Sequence, residues 1–470
     1  MNGRPMPSVV ANDLTDSRLS ASGESGPTAA VINADDRGGS TTGLPSLTTF
    51  DAAVQLTRSN LSWSSASGQS VSINYAYRSS VIVMPEDTGG FSQFTSQQII
   101  ATEHALASWS DVANIIFNRV ADTGSQYSNN ATILFANYAS GLDGAAAFAY
   151  LPGSVDAAAS EGDVWVNSSL SYNATPEMFG YGQLTLVHEI GHAIGLSHPA
   201  SYNAGDGQSF TYGNNAGYVE DSLQYTVMSY FDERETGADF RINRAGASSY
   251  ASAPMMDDIL AAQRLYGANL GTRTGDTVYG FNSSADRPWF SASAGSPPIF
   301  CVWDAGGTDT LDFSGFTQGG TIDLRQGAFS SVGGMLGNVS IVVGAVIENA
   351  IGSQHADHMR GNSGDNRFVG GGGADYIDGG LGVDTLVLTG SRASYTLHWA
   401  GSVGYLWDQD KQISFTNIEF LQFADQTIAA VSGSGMTVTG DLTNDIVAGT
   451  TMADTISGAG GNDVINGGAG

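Results

Sequence analysis

The chain has 470 residues, enough for two or three domains, of which 41% are hydrophobic and only 13% charged. Acidic residues outnumber basic ones 46 to 17, a formal charge of −29, which excludes nucleic acid and anionic membrane surfaces as partners because both call for a basic face. No run of about 18 apolar residues is present to span a bilayer; Cys301 is the sole cysteine, so no intrachain disulfide forms; and Lys411, the sole lysine, follows Asp410 rather than glycine, so there is no Walker A loop.

Residues 1–45 are rich in Ser, Gly, Thr, Ala and Asp and lack a basic start followed by an apolar stretch. They are expected to form a flexible leader or short propeptide rather than a secretory signal. Residues 46–268 carry the patterns of a mixed α/β domain. Segments 71–75 and 132–135 are strand-like, and 163–167 alternates polar and apolar residues. The last is the expected edge strand of a cleft, where an extended peptide adds as a further strand. Thr95-Ser96-Gln97-Gln98 predicts a capping box, behind which Ile99, Leu106, Trp109 and Ala113 fall on one helical face. A second helix is predicted over 183–195. A third is predicted over 254–266, with Asp257 and Asp258 in its first turns and Gly267 as its stop.

Three of the seven histidines lie within eleven residues, in His188-Glu189-Ile190-Gly191-His192-Ala193-Ile194-Gly195-Leu196-Ser197-His198. His188 and His192, four apart, stand one helical turn from each other and can share one metal ion. Glu189 adjoins the first ligand and can lean toward water at the metal. A third ligand cannot come from further along a straight helix. Gly195 resolves this, because a glycine takes positive φ, ends the helix and turns the chain back so that His198 completes a three-histidine site with an open fourth position. His104, His355, His358 and His398 lack metal-ligand spacing and are read as structural.

From about Gly267 helical periodicity gives way to short β-rich runs and Gly/Asp turns. Nine-residue units start at Gly352, Gly361, Gly370 and Gly379, with Asp357, Asn366, Asp375 and Asp384 at position six and a large apolar residue at position eight. A second block starts at Gly440, Gly449 and Gly458, with Asp445, Asp454 and Asp463 at position six. This period predicts a parallel β-roll. Six residues form a turn that presents carbonyl and carboxylate oxygens to Ca²⁺, and three form a strand whose apolar side chain enters a thin core. The first repeat, with Ser353 and His355 where glycine is usual, is the weakest candidate. Asn366 offers a neutral oxygen in place of a carboxylate.

The histidine run resembles the long zinc motif of the metzincin proteases. Thr226-Val227-Met228-Ser229-Tyr230 is similar to the methionine turn of that clan, with Met228 as its methionine. Tyr230 matches a tyrosine that, in astacins and serralysins, binds zinc in the free enzyme and swings away to support the oxyanion. Pro199 after the third histidine resembles the serralysin branch. Over residues 43–387 the chain is similar to a serralysin, a secreted bacterial zinc metalloprotease with an RTX calcium roll. The resemblance implies an α+β metzincin-type protease domain (46–268) followed by an all-β parallel β-roll domain (269–387). It implies one catalytic Zn²⁺, several structural Ca²⁺, Glu189 and Tyr230 as catalytic groups, and protein or peptide substrates. It also implies that calcium between the two domains is held by Arg273, Gly275, Thr277, Asp304, Gly306, Gly307, Asp309 and Glu348, several through backbone carbonyls. A monomer exported by a type I secretion apparatus, extracellular or associated with the cell surface, is expected. Two departures from the family pattern stand out: a strand-rich insert over 388–439, and the second repeat block over 440–470, which stops in mid-repeat as in a chain cut short of its export signal. The competing readings are a calcium-dependent RTX surface or adhesion protein, and a dedicated processing protease for a surface-layer partner.

Overall fold

The computed structural model describes residues 33–39, 43–124, 131–142, 145–153, 160–203, 209–408 and 411–430, together with 437–439, 446–448, 455–459 and 462–467. In the first half, α1 (Thr49–Leu56) is N-capped by the Thr48 side chain. β1 (Val71–Tyr77) precedes α2 (Ser96–Val112), whose predicted capping box forms: Gln98 N–H donates to Thr95 Oγ1 (3.2 Å) and Thr95 N–H to Gln98 Oε1 (2.9 Å). Two orphan donors are thereby satisfied at the helix start. The buried face of α2 carries Ala101, Ala105, Leu106, Trp109 and Val112, whereas Ile99 is only half-buried and Ala113 is the extended C-cap.

Strands β2 (Ile115–Arg119), β3 (Ile133–Tyr138), β4 (Ala147–Ala149) and β5 (Val164–Asn167) join β1 in a sheet of order β2-β1-β3-β5-β4. All pairings are parallel except β4 with β5, which is antiparallel. The expected edge strand at 163–167 is therefore corrected. β5 lies one strand in, with all four residues buried, and the edge is β4. Its Ala-Phe-Ala sequence has too little alternation to announce a strand.

Helix α3 (Tyr181–Ala193) carries the first two histidines and starts two residues before the predicted position. Helix α4 (Met256–Tyr266) starts at Met256 rather than Pro254, because Asp258 accepts the Met255 N–H at 2.9 Å and sets the cap there. Residues 33–39, expected within the flexible leader, are packed. Ala34 N–H donates to Gly327 O at 2.9 Å, and Arg37 makes a bidentate pair with Asp257 at 2.7 and 2.8 Å, both side chains fully buried. Composition cannot reveal a carboxylate that lies 220 residues away in sequence.

The second half is a roll of two facing sheets. In one, Asn349–Ile351, Arg367–Val369 and Thr385–Val387 pair in parallel; in the other, His358–Arg360 pairs with Tyr376–Asp378. Successive repeats thus alternate between sheets, and hydrogen-bonded neighbours are two repeats apart. The position-eight residues Met359, Phe368, Ile377 and Leu386 are at most 1% exposed and form the interior row. Residues 388–429, read as a strand-rich insert, continue both sheets: Lys411–Thr416 pairs in parallel with Tyr376–Asp378, and Phe420–Gln422 with Thr385–Val387. In the second block Thr437–Thr439 pairs in parallel with Thr455–Ser457, and Ile446–Ala448 with Val464–Asn466. Among the described residues no helix is long and apolar enough to cross a membrane.

Candidate active site and calcium turns

His188, Glu189 and His192 project from α3 and are at most 5% exposed. The helix ends at Ala193, and Gly195 adopts φ +108°; a Cβ there would lie 2.1 Å from Leu61 O. Positive φ and close backbone approach together require glycine. The chain reverses and brings His198 back to the first two histidines. His198 Nε2 lies 3.2 Å from His188 Nε2 and 3.0 Å from His192 Nε2. Each Nδ1 faces a carbonyl: His188 to Val227 O (2.7 Å), His192 to Leu196 O (2.7 Å) and His198 to Tyr202 O (2.9 Å). A carbonyl only accepts, so each Nδ1 carries the proton and each Nε2 presents a lone pair. Three lone pairs converging at this spacing need a cation between them. Three nitrogens bound tetrahedrally at about 2.1 Å would stand about 3.4 Å apart. Burial pushes the His188 pKa down to about 4 and holds those of His192 and His198 well below the usual value, which keeps the imidazoles in the neutral, metal-binding form. Among the described residues these three form the cluster suited to a metal ion, and their chemistry fits zinc.

Met228 is fully buried beneath this cluster. A Cβ on Gly191 would come within 2.6 Å of Met228 Sδ, so the small residue between the two helical histidines lets the turn approach. Asp258 of α4 fastens the same turn, accepting from Thr226 Oγ1 (2.5 Å) and Val227 N–H (2.8 Å), while Val227 O receives His188. The Tyr230 ring lies 4.5 Å from the His198 ring and 6.1 Å from that of His188, between centroids. A cavity of about 340 Å³ opens beside the histidines, lined by Ala149 of the edge strand, Leu151, His192, His198, Tyr202 and Arg58.

In the roll, each position-six side chain folds over the glycine that starts its own repeat. A Cβ at Gly352, Gly361, Gly370 or Gly379 would meet Asp357, Asn366, Asp375 or Asp384 within 2.2–2.7 Å, and at Gly458 it would meet Asp463 within 2.1 Å. Glycine at position one is therefore a steric requirement. Oδ1 of Asp375 accepts from Asp357 N–H (3.0 Å) and Oδ1 of Asp384 from Asn366 N–H (2.7 Å), whereas Oδ2 of each is buried without a hydrogen-bond partner. Oδ2 of Asp309 is in the same state. Burial, followed by neighbouring carboxylates among the raising causes, pushes the pKa values of Asp309 and Asp375 up to about 7 and that of Asp384 up to about 10. Buried, anion-crowded carboxylate oxygens fit Ca²⁺. Asp357 and Asn366 differ. Asp357 Oδ2 receives Ser353 N–H and Oγ–H, and Asn366 turns its amide NH₂ onto Glu348 O at 3.0 Å. Neither leaves a carboxylate oxygen over. At the start of the roll, Asp304 accepts from Tyr279 OH (2.6 Å) and Gly306 N–H (2.9 Å), and Thr277 Oγ1 donates to Gly275 O (2.8 Å). Arg273 sends its guanidinium to Asp111 (2.9 Å) and Trp303 O (2.7 Å), away from the turn. Asp445 and Asp454 lie outside the described residues.

Residues 84–213 match the family Matrixin, 268–411 match Peptidase M10 serralysin C terminal, and 439–470 match the RTX calcium-binding nonapeptide repeat (4 copies). The chain is 46% identical over 337 residues to Metallopeptidase AprA of Pseudomonas marginalis, covering 70% of this chain and 68% of that protein. It is 45% identical over 346 residues to Serralysin A of Dickeya chrysanthemi, covering 72% and 70%. The chain belongs to the serralysin family. It is a zinc metalloendopeptidase of α+β fold followed by a calcium-binding β-rich RTX region.

This serralysin also contains a clamp that motif spacing does not reveal. The segment from α1 to Leu61 grips the backbone around the third histidine. Ser197 N–H donates to Leu56 O (2.7 Å), Gln55 Nε2 to Pro199 O (2.8 Å), and Arg58 to His198 O and to Ala200 O (3.2 Å). Gly195–Ala200 is a loop, and the clamp is what orders its carbonyls. Arg58→Gln is expected to leave the fold intact and weaken zinc affinity about 10–100-fold, the usual cost of losing an outer contact to a ligand. Competition with a chromogenic chelator measures this; unchanged affinity would assign Arg58 to surface packing.

Proposed function

We propose that His188, His192 and His198 hold the zinc through Nε2, and that Glu189 and Tyr230 act on the peptide. The reading is carried by the convergence of three Nε2 atoms whose Nδ1 partners are already committed to carbonyls. Zinc, when bound, lowers the pKa of water toward about 7 and polarises the scissile carbonyl. An extended polypeptide adds antiparallel to the free edge of β4, which brings its backbone past the histidines. Glu189, one residue beyond His188 and fully buried, takes the proton of the attacking water and passes it to the leaving amine. Tyr230 donates its hydroxyl to the developing oxyanion. In the roll, Asp309, Glu348, Asp375 and Asp384 supply carboxylate oxygens to Ca²⁺, with Asp304 and the carbonyls of Arg273, Gly275, Thr277, Gly306 and Gly307 completing the turns; Asp463 does so in the second block. The protein acts outside the cell as a monomer after type I secretion.

The test is Tyr230→Phe. The variant is expected to fold, keep zinc and lose about 10²–10³ in kcat, the usual cost of one oxyanion donor, with KM on a peptide substrate little changed. An unchanged kcat would leave Tyr230 as a packed aromatic of the Tyr202–Phe231 cluster.

A further inference from the structure

One buried carboxylate, joined to the histidine cluster through Tyr202, has no part in the peptide chemistry. Asp221 is fully buried, and its Oδ1 accepts from Tyr202 OH at 2.8 Å and from Ser229 Oγ at 2.7 Å. Its Oδ2 accepts from Gly217 N–H at 3.0 Å. The two hydroxyls belong to different segments. Tyr202 follows the third histidine, and its carbonyl faces His198 Nδ1 at 2.9 Å. Ser229 stands between Met228 and Tyr230, and its Oγ also accepts the Phe231 N–H at 3.1 Å. One carboxylate oxygen therefore links the residue that orients His198 to the residue that precedes Tyr230. The rings sit accordingly: Tyr230 lies 4.9 Å from Tyr202 and 4.5 Å from His198, between centroids. Asp221 is itself held in place. Its neighbour Glu220 accepts from Leu47 N–H at 2.9 Å, and Leu223 N–H donates to Phe231 O at 2.9 Å.

We propose that Asp221 is a positioning residue for Tyr230: it ties the tyrosine's backbone to the loop of His198 and so sets where the phenol stands beside the zinc ligands. Two hydroxyls alone do not call for a charge in this interior, where an ionised carboxylate is costly unless it is hydrogen-bonded. Three donors meet that condition here, and bonds to a charged acceptor are roughly twice as strong as neutral ones. Sharing one oxygen between Tyr202 and Ser229 fixes the separation of their segments, which two independent acceptors would leave free. A group that supports an oxyanion needs such a constraint, because a misplacement of about 1 Å can cost about 10² in rate.

This inference rests on the reading of Tyr230 as the oxyanion donor, so the experiment is a double-mutant cycle that separates the two. Wild type, Asp221→Asn, Tyr230→Phe and the double variant are compared for kcat and KM on a quenched peptide and for zinc affinity by chelator competition. Inhibition by a phosphinic peptide, whose tetrahedral anion stands in for the transition state, is the further readout. Asparagine keeps one acceptor oxygen and puts a donor in place of the other, so one of the three bonds is lost. Asp221→Asn is expected to lose about 10–10² in kcat with KM little changed, to bind the phosphinic peptide more weakly by a similar factor, and to keep wild-type zinc affinity. In the Tyr230→Phe background it is expected to cost nothing further. An equal loss in both backgrounds would make Asp221 a general support of the fold and overturn the proposal. So would loss of zinc from Asp221→Asn, or wild-type kcat in it beside an impaired Tyr230→Phe. Wild-type kcat in Tyr230→Phe would overturn the reading of Tyr230 and the proposal with it. Should Asp221→Asn not fold, Ser229→Ala, which removes one donor to the carboxylate, takes its place in the cycle with the same outcomes.

Discussion

Glu189→Ala is expected to retain zinc and lose about 10²–10⁴ in kcat, the usual contribution of a positioned general base. Glu189 adjoins His188 on α3 but is not part of the converging nitrogen cluster, and its side chain is fully buried. Removing it takes nothing from the three Nε2 donors, each of which is oriented by a carbonyl elsewhere: Val227, Leu196 and Tyr202. Metal analysis of the purified variant should therefore give one zinc per chain, as for wild type, while cleavage of casein or a quenched peptide falls by that factor. Hydrolysis at the wild-type rate would remove Glu189 from the mechanism. Loss of zinc together with activity would instead mean that the carboxylate supports the metal.

Calcium removal is expected to unfold the C-terminal half before the zinc site is lost. The roll's interior row between its sheets is thin: Met359, Phe368, Ile377 and Leu386 are one apolar side chain per repeat. One buried apolar side chain per repeat is set against the conformational entropy of ordering nine residues, many of them glycine, so the row is a weak source of stability for the turns. Against the row stand the buried carboxylates of Asp309, Asp375 and Asp384, each with an oxygen that no protein group satisfies. Each ion bound at 100 times its Kd would return about 2.7 kcal/mol. The protease half has many more buried side chains, including Trp109, Phe135, Ile190 and Met228, packed between its own helices and sheet, and its core runs on into that of the roll through residues such as Phe300 and Leu311. Circular dichroism of the full chain during titration with a calcium-selective chelator should show loss of β signal first, reversed by added calcium, with the near-ultraviolet signal of the protease aromatics lost later. A β signal indifferent to calcium would refute the role of these turns.

The zinc motif and the repeat were legible because each is local. Two histidines four apart on a helix, a glycine that turns the chain, and a third histidine lie within eleven residues, so helical geometry and the special φ of glycine suffice to bring them together. The nine-residue period likewise states its own fold, since a turn of six and a strand of three repeat in phase. The capping box at Thr95 and Gln98 was visible for the same reason.

What remained hidden depends on partners distant in sequence. The cleft edge falls on Ala147–Ala149 rather than 163–167, because edge position is decided by which strand pairs outermost, and no pattern within a strand encodes that. Arg58 reaches the loop of the third histidine across 140 residues, and Arg37 meets Asp257 across 220. Residues 388–429 have lost the nine-residue period, so only their parallel pairing with Tyr376–Asp378 and Thr385–Val387 shows that they extend the roll. Sequence alone determined the chemistry of the zinc centre and the existence of the calcium roll, because short-range backbone geometry dictates both. Tertiary structure decided which strand lies outermost in the protease sheet, what holds the third histidine in place and how residues 411–429 join the roll, because each of these is a long-range pairing chosen by burial and hydrogen-bond satisfaction.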